Sequence, residues 1–140
     1  KINIVLKRNN SRIISNFDAM MTFLREKYNN YEWIVFDDLD SRWKSMKNTI
    51  QLFSIAKLII GAHGAGLSNM IFSSESAKII ELHPENLGNV CYWHLSQVIG
   101  NTHNILPVKY KSGTEFDVNL EQLDYTVDKL LNDVFCVENT

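Results

Sequence analysis

The fold turns on Lys57-Leu58-Ile59-Ile60-Gly61-Ala62-His63-Gly64-Ala65-Gly66-Leu67-Ser68-Asn69. Lys57 to Ile60 reads as a short apolar strand, and beyond the glycines a short helical stretch runs through Phe72. A strand that passes through a glycine-rich turn into a helix is the repeating step of an α/β sheet, whose parallel strands each need a crossover.

Outward from that stretch the same step recurs. Ile2 to Leu6, Tyr31 to Phe36, Lys78 to Leu82 and Asn104 to Val108 read as further strands. Between them, Phe17, Met20, Met21, Leu24 and Tyr28 fall on one helical face, with Ser15 and Asp18 as a capping box or Asn16 as the cap. Met46, Ile50 and Phe53 mark a second helix and Val90 to Ile99 a third. Leu120, Leu123, Val127, Leu130, Leu131 and Val134 draw the stripe of a closing one. The order βαβαβαβαβα predicts a single α/β domain over residues 1–140: a three-layer Rossmann-like domain with a mostly parallel sheet of about five strands. In such sheets ligands bind beyond the carboxyl ends of the strands. That edge holds Lys7 to Arg12, Asp37 to Arg42, Gly61 to Asn69 and Glu81 to Glu85.

Composition agrees and excludes other classes. The 140 residues are 45% hydrophobic with 6 Gly and 2 Pro, enough to bury a core in one domain. Lys and Arg number 14 against 16 Asp and Glu, a net charge of -2, which lacks the basic footprint of a nucleic-acid binder. The longest apolar run, Leu58 to Ala62, falls far short of the ~20 residues of a membrane span, so this domain is expected to make no membrane contact. Charge is uneven: Lys1, Lys7, Arg8 and Arg12 precede any acid, whereas Glu115 to Glu138 holds seven acids against Lys129, so the basic end is the expected anion binder. Cys91 and Cys136 lie outside any CxxC or Cys/His cluster and read as buried small hydrophobes. The chain opens at Lys1 directly into a strand, as expected of a piece cut from a longer protein. Asn9-Asn10-Ser11 is a sequon, but on a stretch expected to face ligand it makes a poor glycan site.

Three features at the ligand edge carry chemistry. After Gly61 to Gly66, the free amides of a helix start form an anion-binding end suited to a diphosphate, with Ser68 where a phosphate-contacting hydroxyl would stand. The order G-x-x-G-x-G is not the dinucleotide fingerprint and no P-loop lysine follows, so close packing alone is the competing reading. Arg8, Arg12 and Asn16 recur every four residues; a guanidinium there can pair bidentately with a phosphate, while Asn16 reads better as a helix cap. Glu81 ends a buried-looking strand, where a carboxylate can hold a ribose diol or else pair with Arg8.

The segment His63-Gly64-Ala65-Gly66-Leu67-Ser68-Asn69-Met70-Ile71-Phe72, followed by the strand ending Glu81-Leu82-His83-Pro84, resembles the signature of glycosyltransferase family 61. That family includes O-linked N-acetylglucosaminyl and plant xylan xylosyl and arabinosyl transferases. Lys7-Arg8, Arg12-Ile13-Ile14, Asn16 and the Gln51-Leu52-Phe53 to Ala56 stretch are similar in order and spacing, so the likeness spans Lys7 to about Pro84. The resemblance implies the carboxyl-terminal, donor-binding half of a GT-B fold and metal-independent inverting transfer from a nucleotide sugar, a UDP-sugar, to a glycan or protein hydroxyl. No cofactor or metal is expected. Arg8, with Arg12 beside it, would neutralise the diphosphate; His63, Gly64, Ala65, Gly66, Leu67, Ser68 and Asn69 would wrap it; Glu81 would hold the ribose. The catalytic base stays unassigned. His63 is a candidate, although its place in the glycine loop suits hydrogen bonding to donor oxygens better. Two departures stand out: the basic run is thinner than usual there, and the partner half that should hold the acceptor is absent, so these residues alone are expected to be inactive. The compartment would be the Golgi or ER lumen in a eukaryote and the cytoplasm in a bacterium.

Other readings compete. Asp38-Leu39-Asp40 is a DxD of the kind that holds manganese in another glycosyltransferase fold, but here it reads as a solvated turn capping the next helix. His83, His94 and His103 lack metal-ligand spacing and an evident acidic partner. A methyltransferase would place its glycine loop after the first strand, where Asn9-Asn10 stands. A Rossmann-like module binding a nucleotide or a partner protein without chemistry is the alternative from another class, separable by preference for a UDP-sugar over UMP and NAD.

Overall fold

The structure, a computed structural model, describes residues 1–132. Its strands are β1 (Ile2–Lys7), β2 (Glu32–Asp37), β3 (Ala56–Ala62), β4 (Lys78–Pro84) and β5 (Thr102–Val108). Its α-helices are α1 (Phe17–Lys27), α2 (Met46–Ile55), α3 (Cys91–Ile99) and α4 (Leu120–Asn132), with 3-10 turns at Ser41–Lys44 and Ala65–Phe72. All pairings within the sheet are parallel and the strand order is β2-β1-β3-β4-β5. This is the α/β, three-layer Rossmann-like domain that the alternation of elements predicts.

Strand parity sorts the side chains into two cores. Val5, Leu58, Ile60, Ile80, Leu82 and Leu106 pack with α1 and α4, through Met20, Leu24, Leu123 and Val127. Ile4, Leu6, Ile59 and Ile79 face the other way, onto Leu52 and Phe53 of α2, Leu67 and Met70 of the 65–72 turn, and Tyr92 and Leu95 of α3. The central strands are apolar along nearly their whole length because helices cover both faces.

Local corrections matter for the site. Gly61 and Ala62 belong to β3, so the free loop is only His63 and Gly64, and the segment after it is 3-10 rather than α. Gly61 is required by packing, since an added Cβ would come within 3.0 Å of Leu6 Cβ on β1 and overlap Leu6 Cδ1. Asn16 is the first boundary residue of α1 but makes no capping bond. Its Nδ2 instead donates to Val118 O (2.9 Å) and its Oδ1 accepts from Val118 N (2.9 Å), which ties the start of α1 to the approach of α4. The expected Ser15–Asp18 capping box does not form. Cys91 is exposed rather than buried, because it opens α3 at the surface. Val134 and Cys136 lie outside the described residues.

Candidate functional site

The sheet order reverses direction between β1 and β3, and in an open α/β sheet that switch point is where loops part and leave a crevice. Arg8 leaves the end of β1 and His63-Gly64 leaves the end of β3, so the two sequence signals flank the crevice from either side. Lys7, Arg8, Phe36, Asp38, Ala65 and Gly66 are among the residues that line a cavity of about 210 Å³ there. Larger cavities lie at the ends of β4 and β5, about 290 Å³ beside Glu85 and Tyr110 and about 440 Å³ beside Lys111 and Asp117. Neither is bordered by the arginines or the glycine loop, so the switch point is the better site on chemistry although not on size.

Both arginines converge on Gly64. A Cβ at Gly64 would collide with the Arg8 guanidinium (Cζ at 2.9 Å) and meet Arg12 Nη1 at 3.5 Å. Arg8 is held by Nε donating to Ser11 O (2.9 Å) and Nη2 to Ser11 Oγ (3.0 Å), and Arg12 Nη1 donates to His63 O (2.7 Å). Arg12 has φ of 53°, a left-handed backbone that costs a non-glycine residue about 1–2 kcal/mol, and its amide is fixed by Thr114 Oγ1. Among the described residues no carboxylate stands within ion-pair distance of either guanidinium. The amides of Gly64, Ala65 and Gly66 likewise meet no acceptor among the described residues, whereas Leu67 N closes the turn onto Gly64 O (3.0 Å). The expected wrapping amides are therefore 64 to 66, and the buried Leu67 is a packing residue. Ser68 Oγ donates to Ala65 O, and Asn69 Nδ2 donates to Gly66 O (3.1 Å), so both side chains brace the turn.

Beneath the loop lies a buried polar chain. Glu81 is fully buried; Oε2 takes His63 Nδ1 at 2.7 Å and Oε1 takes His103 Nε2 at 2.8 Å. Ser96 Oγ stands 2.5 Å from His103 Nδ1. An ionised carboxylate only accepts, so both ring atoms facing it carry protons; the Ser96 hydroxyl also reaches Met70 Sδ at 3.4 Å. Burial, the largest single influence, pushes the Glu81 pKa up, but the hydrogen bonds and the charges of His103 and His63 together outweigh it, so the carboxyl lies below its ordinary value. Glu81 does not pair with Arg8, and with both oxygens engaged and no exposed surface it offers no direct contact to a ribose. His63 has a side chain 6% exposed, with Tyr92 and His83 edge-on to its ring at 4.8 and 5.2 Å between centroids.

Sequence reasoning missed His103, Ser96 and His83. His103 is far from Glu81 in sequence, yet register supplies the signal: Glu81 pairs with Gly61 and Ile105, so residues 63, 81, 83 and 103 share one face of the sheet. His63, Glu81 and His83 are the one group among the described residues whose possible metal-ligating atoms fall within 4.8 Å of one another. Its geometry is that of hydrogen bonding: His63 Nδ1 already donates to Glu81, and the His83 nitrogens stand 3.0 and 2.9 Å from Pro84 O and Asn89 O. The DxD carboxylates turn apart, Asp38 toward Asn9 and Asp40 toward Arg42, whose amide it also caps.

Uncompensated arginines and free amides at the switch point of a parallel sheet define a Rossmann-like domain with a cationic ligand edge. Residues 1–80 match the family model Glycosyltransferase 61, more than half of the chain, and the chain belongs to that family. The motifs from Lys7 to Phe72 fall inside the matched span, and Glu81 to Pro84 follow directly. No curated protein matches the chain. A glycosyltransferase function follows from the family, with a sugar donor and an acceptor as partners.

Proposed function

We propose that this domain is the donor-binding half of a GT-B glycosyltransferase, holding a UDP-sugar for metal-independent, inverting transfer to a hydroxyl of a glycan or protein. The observation that carries the reading is the convergence of Arg8 and Arg12 on Gly64, beside amides without acceptors and without a neutralising carboxylate. A diphosphate supplies what those groups lack: two adjacent anionic centres within reach of two guanidinia and a run of N–H donors. Charge developing on the leaving diphosphate is then met by fixed cations, and no metal is needed for the task. Asp38 and Asp40 support this by being spent on Asn9 and Arg42. Glu81 acts on the donor through His63 rather than on the ribose. The companion half of the enzyme brings the acceptor and its base.

A thermal-shift panel tests this. The 140-residue chain should be stabilised by a UDP-sugar in preference to UMP and NAD. Arg8→Ala should cost about 1.5–3 kcal/mol of UDP affinity, the range for a charged hydrogen bond, and leave uridine binding unchanged. Equal loss for uridine would remove the phosphate role, and equal response to NAD would remove the donor assignment.

A further inference from the structure

We propose that Ser96, His103 and Glu81 form a positioning chain that holds His63 by Nδ1, so that His63 binds the donor diphosphate through a second proton on Nε2, taken up from solvent as the donor binds. The inference rests on the donor-half reading. Its basis is the chain of contacts from Ser96 Oγ to His103 Nδ1 (2.5 Å), His103 Nε2–H to Glu81 Oε1 (2.8 Å) and His63 Nδ1–H to Glu81 Oε2 (2.7 Å). The chain leaves His63 one undetermined atom. Nε2 makes no hydrogen bond among the described residues and keeps access to solvent.

With Nδ1–H committed to Glu81, neutral His63 presents a bare lone pair at Nε2, which repels a phosphate oxygen. A proton there reverses the sign and makes a charged donor, and the buried Glu81 carboxylate supplies the compensating charge. Of the other polar and charged groups around His63, the two guanidinia oppose that proton until a bound diphosphate neutralises them, which ties its uptake to donor binding. From β4 His83 meets the ring edge-on, from α3 Tyr92 does the same, His103 on β5 stands behind Glu81, Arg12 occupies the His63 carbonyl and Arg8 lies over Gly64. Glu81 is the one carboxylate within ion-pair distance of His63 among the described residues. A base role fits less well. In an inverting displacement the base stands across the anomeric carbon from the leaving group, whereas His63 adjoins the amides that face the diphosphate.

The experiment is calorimetry on the 140-residue chain with UDP-N-acetylglucosamine, UDP-xylose and UDP-arabinose, using the tightest binder. The phosphates of these diesters do not titrate near neutrality, so pH dependence reports on the protein. In two buffers of different ionisation enthalpy at pH 7.5, binding should take up a proton. Affinity should weaken as pH rises from 6 to 8, by at most about tenfold per pH unit for one linked proton. His63→Gln should abolish the uptake and flatten the profile. Ser96→Ala, which leaves the site's own groups in place, should reduce the uptake, an effect that a merely structural serine would not have. Binding without proton uptake, or uptake that persists in His63→Gln, overturns the proposal while leaving the donor-half reading intact. No binding of any of the three sugars at pH 6 to 8 overturns both.

Discussion

Gly64 and Gly61 stand three residues apart and are both glycine for want of room, yet the room is taken by different things. At Gly64 the obstacle is the far end of Arg8, a flexible side chain that can swing away; at Gly61 it is Leu6, packed in the core of β1. Gly64→Ala should therefore keep its melting temperature and far-UV spectrum but lose UDP-sugar affinity about as Arg8→Ala does, since it moves the same guanidinium. Gly61→Ala should do the reverse, costing about 1–3 kcal/mol of stability by overpacking, read from the urea midpoint. A Gly64→Ala protein that binds normally would show that the position of Arg8 does not matter.

Among elements, α1 and α4 are tied by side chains on the face away from α2 and α3. Tyr28 Oη donates to Asp124 Oδ1 (2.6 Å), Lys27 pairs with the other oxygen, and Asn16 grips Val118. Burial and the Asp124 hydrogen bond both push the Tyr28 hydroxyl well above its ordinary value, while Lys27 and Tyr28 hold Asp124 below its own. Tyr28→Phe should destabilise the domain by about 1.5 kcal/mol, a hydrogen bond to a charged acceptor, with donor binding untouched. This clamp was invisible in sequence because its partners are 96 residues apart and no periodicity links them. The elements themselves were legible, since apolar strands and helical stripes are local patterns, and so were the arginines and glycines, which follow directly on β1 and β3. What could not be read was the chain under the loop. Ser96, Glu81 and His103 come from three elements, and the Glu81–His103 contact depends on the register of β4 against β5, a tertiary quantity. Asn16 misled because a side chain at a helix start has two competing uses, and a tertiary backbone partner at Val118 outcompeted the local amide.

For the whole molecule, the buried chain links folding to pH and the ligand edge decides whether binding needs a metal. Glu81 is the buried acid of the core, and its folded pKa lies below the ordinary 4.5. The unfolded chain thus binds more protons in that range, so the contribution of Glu81 is fully present above the ordinary carboxylate value and is lost as pH falls through it toward the lowered one. Urea midpoints should drop between pH 6 and pH 3.5, and Glu81→Gln should flatten the part of that slope due to this residue; an unchanged slope would mean other acids set it. The ligand edge makes a separate demand. If Arg8, Arg12 and the amides of residues 64 to 66 neutralise the diphosphate, UDP-sugar binding should survive EDTA and survive the Asp38→Asn, Asp40→Asn double substitution. A DxD-held manganese would instead bridge those carboxylates to the diphosphate, so chelation would abolish binding and the double variant would imitate it. On the proposed reading, which puts base and acceptor groove on a companion half, residues 1–140 should bind donor and transfer no sugar. Robust transfer by these residues alone would mean that the base lies among them, and His63, already fixed by Glu81, would then be the first residue to substitute.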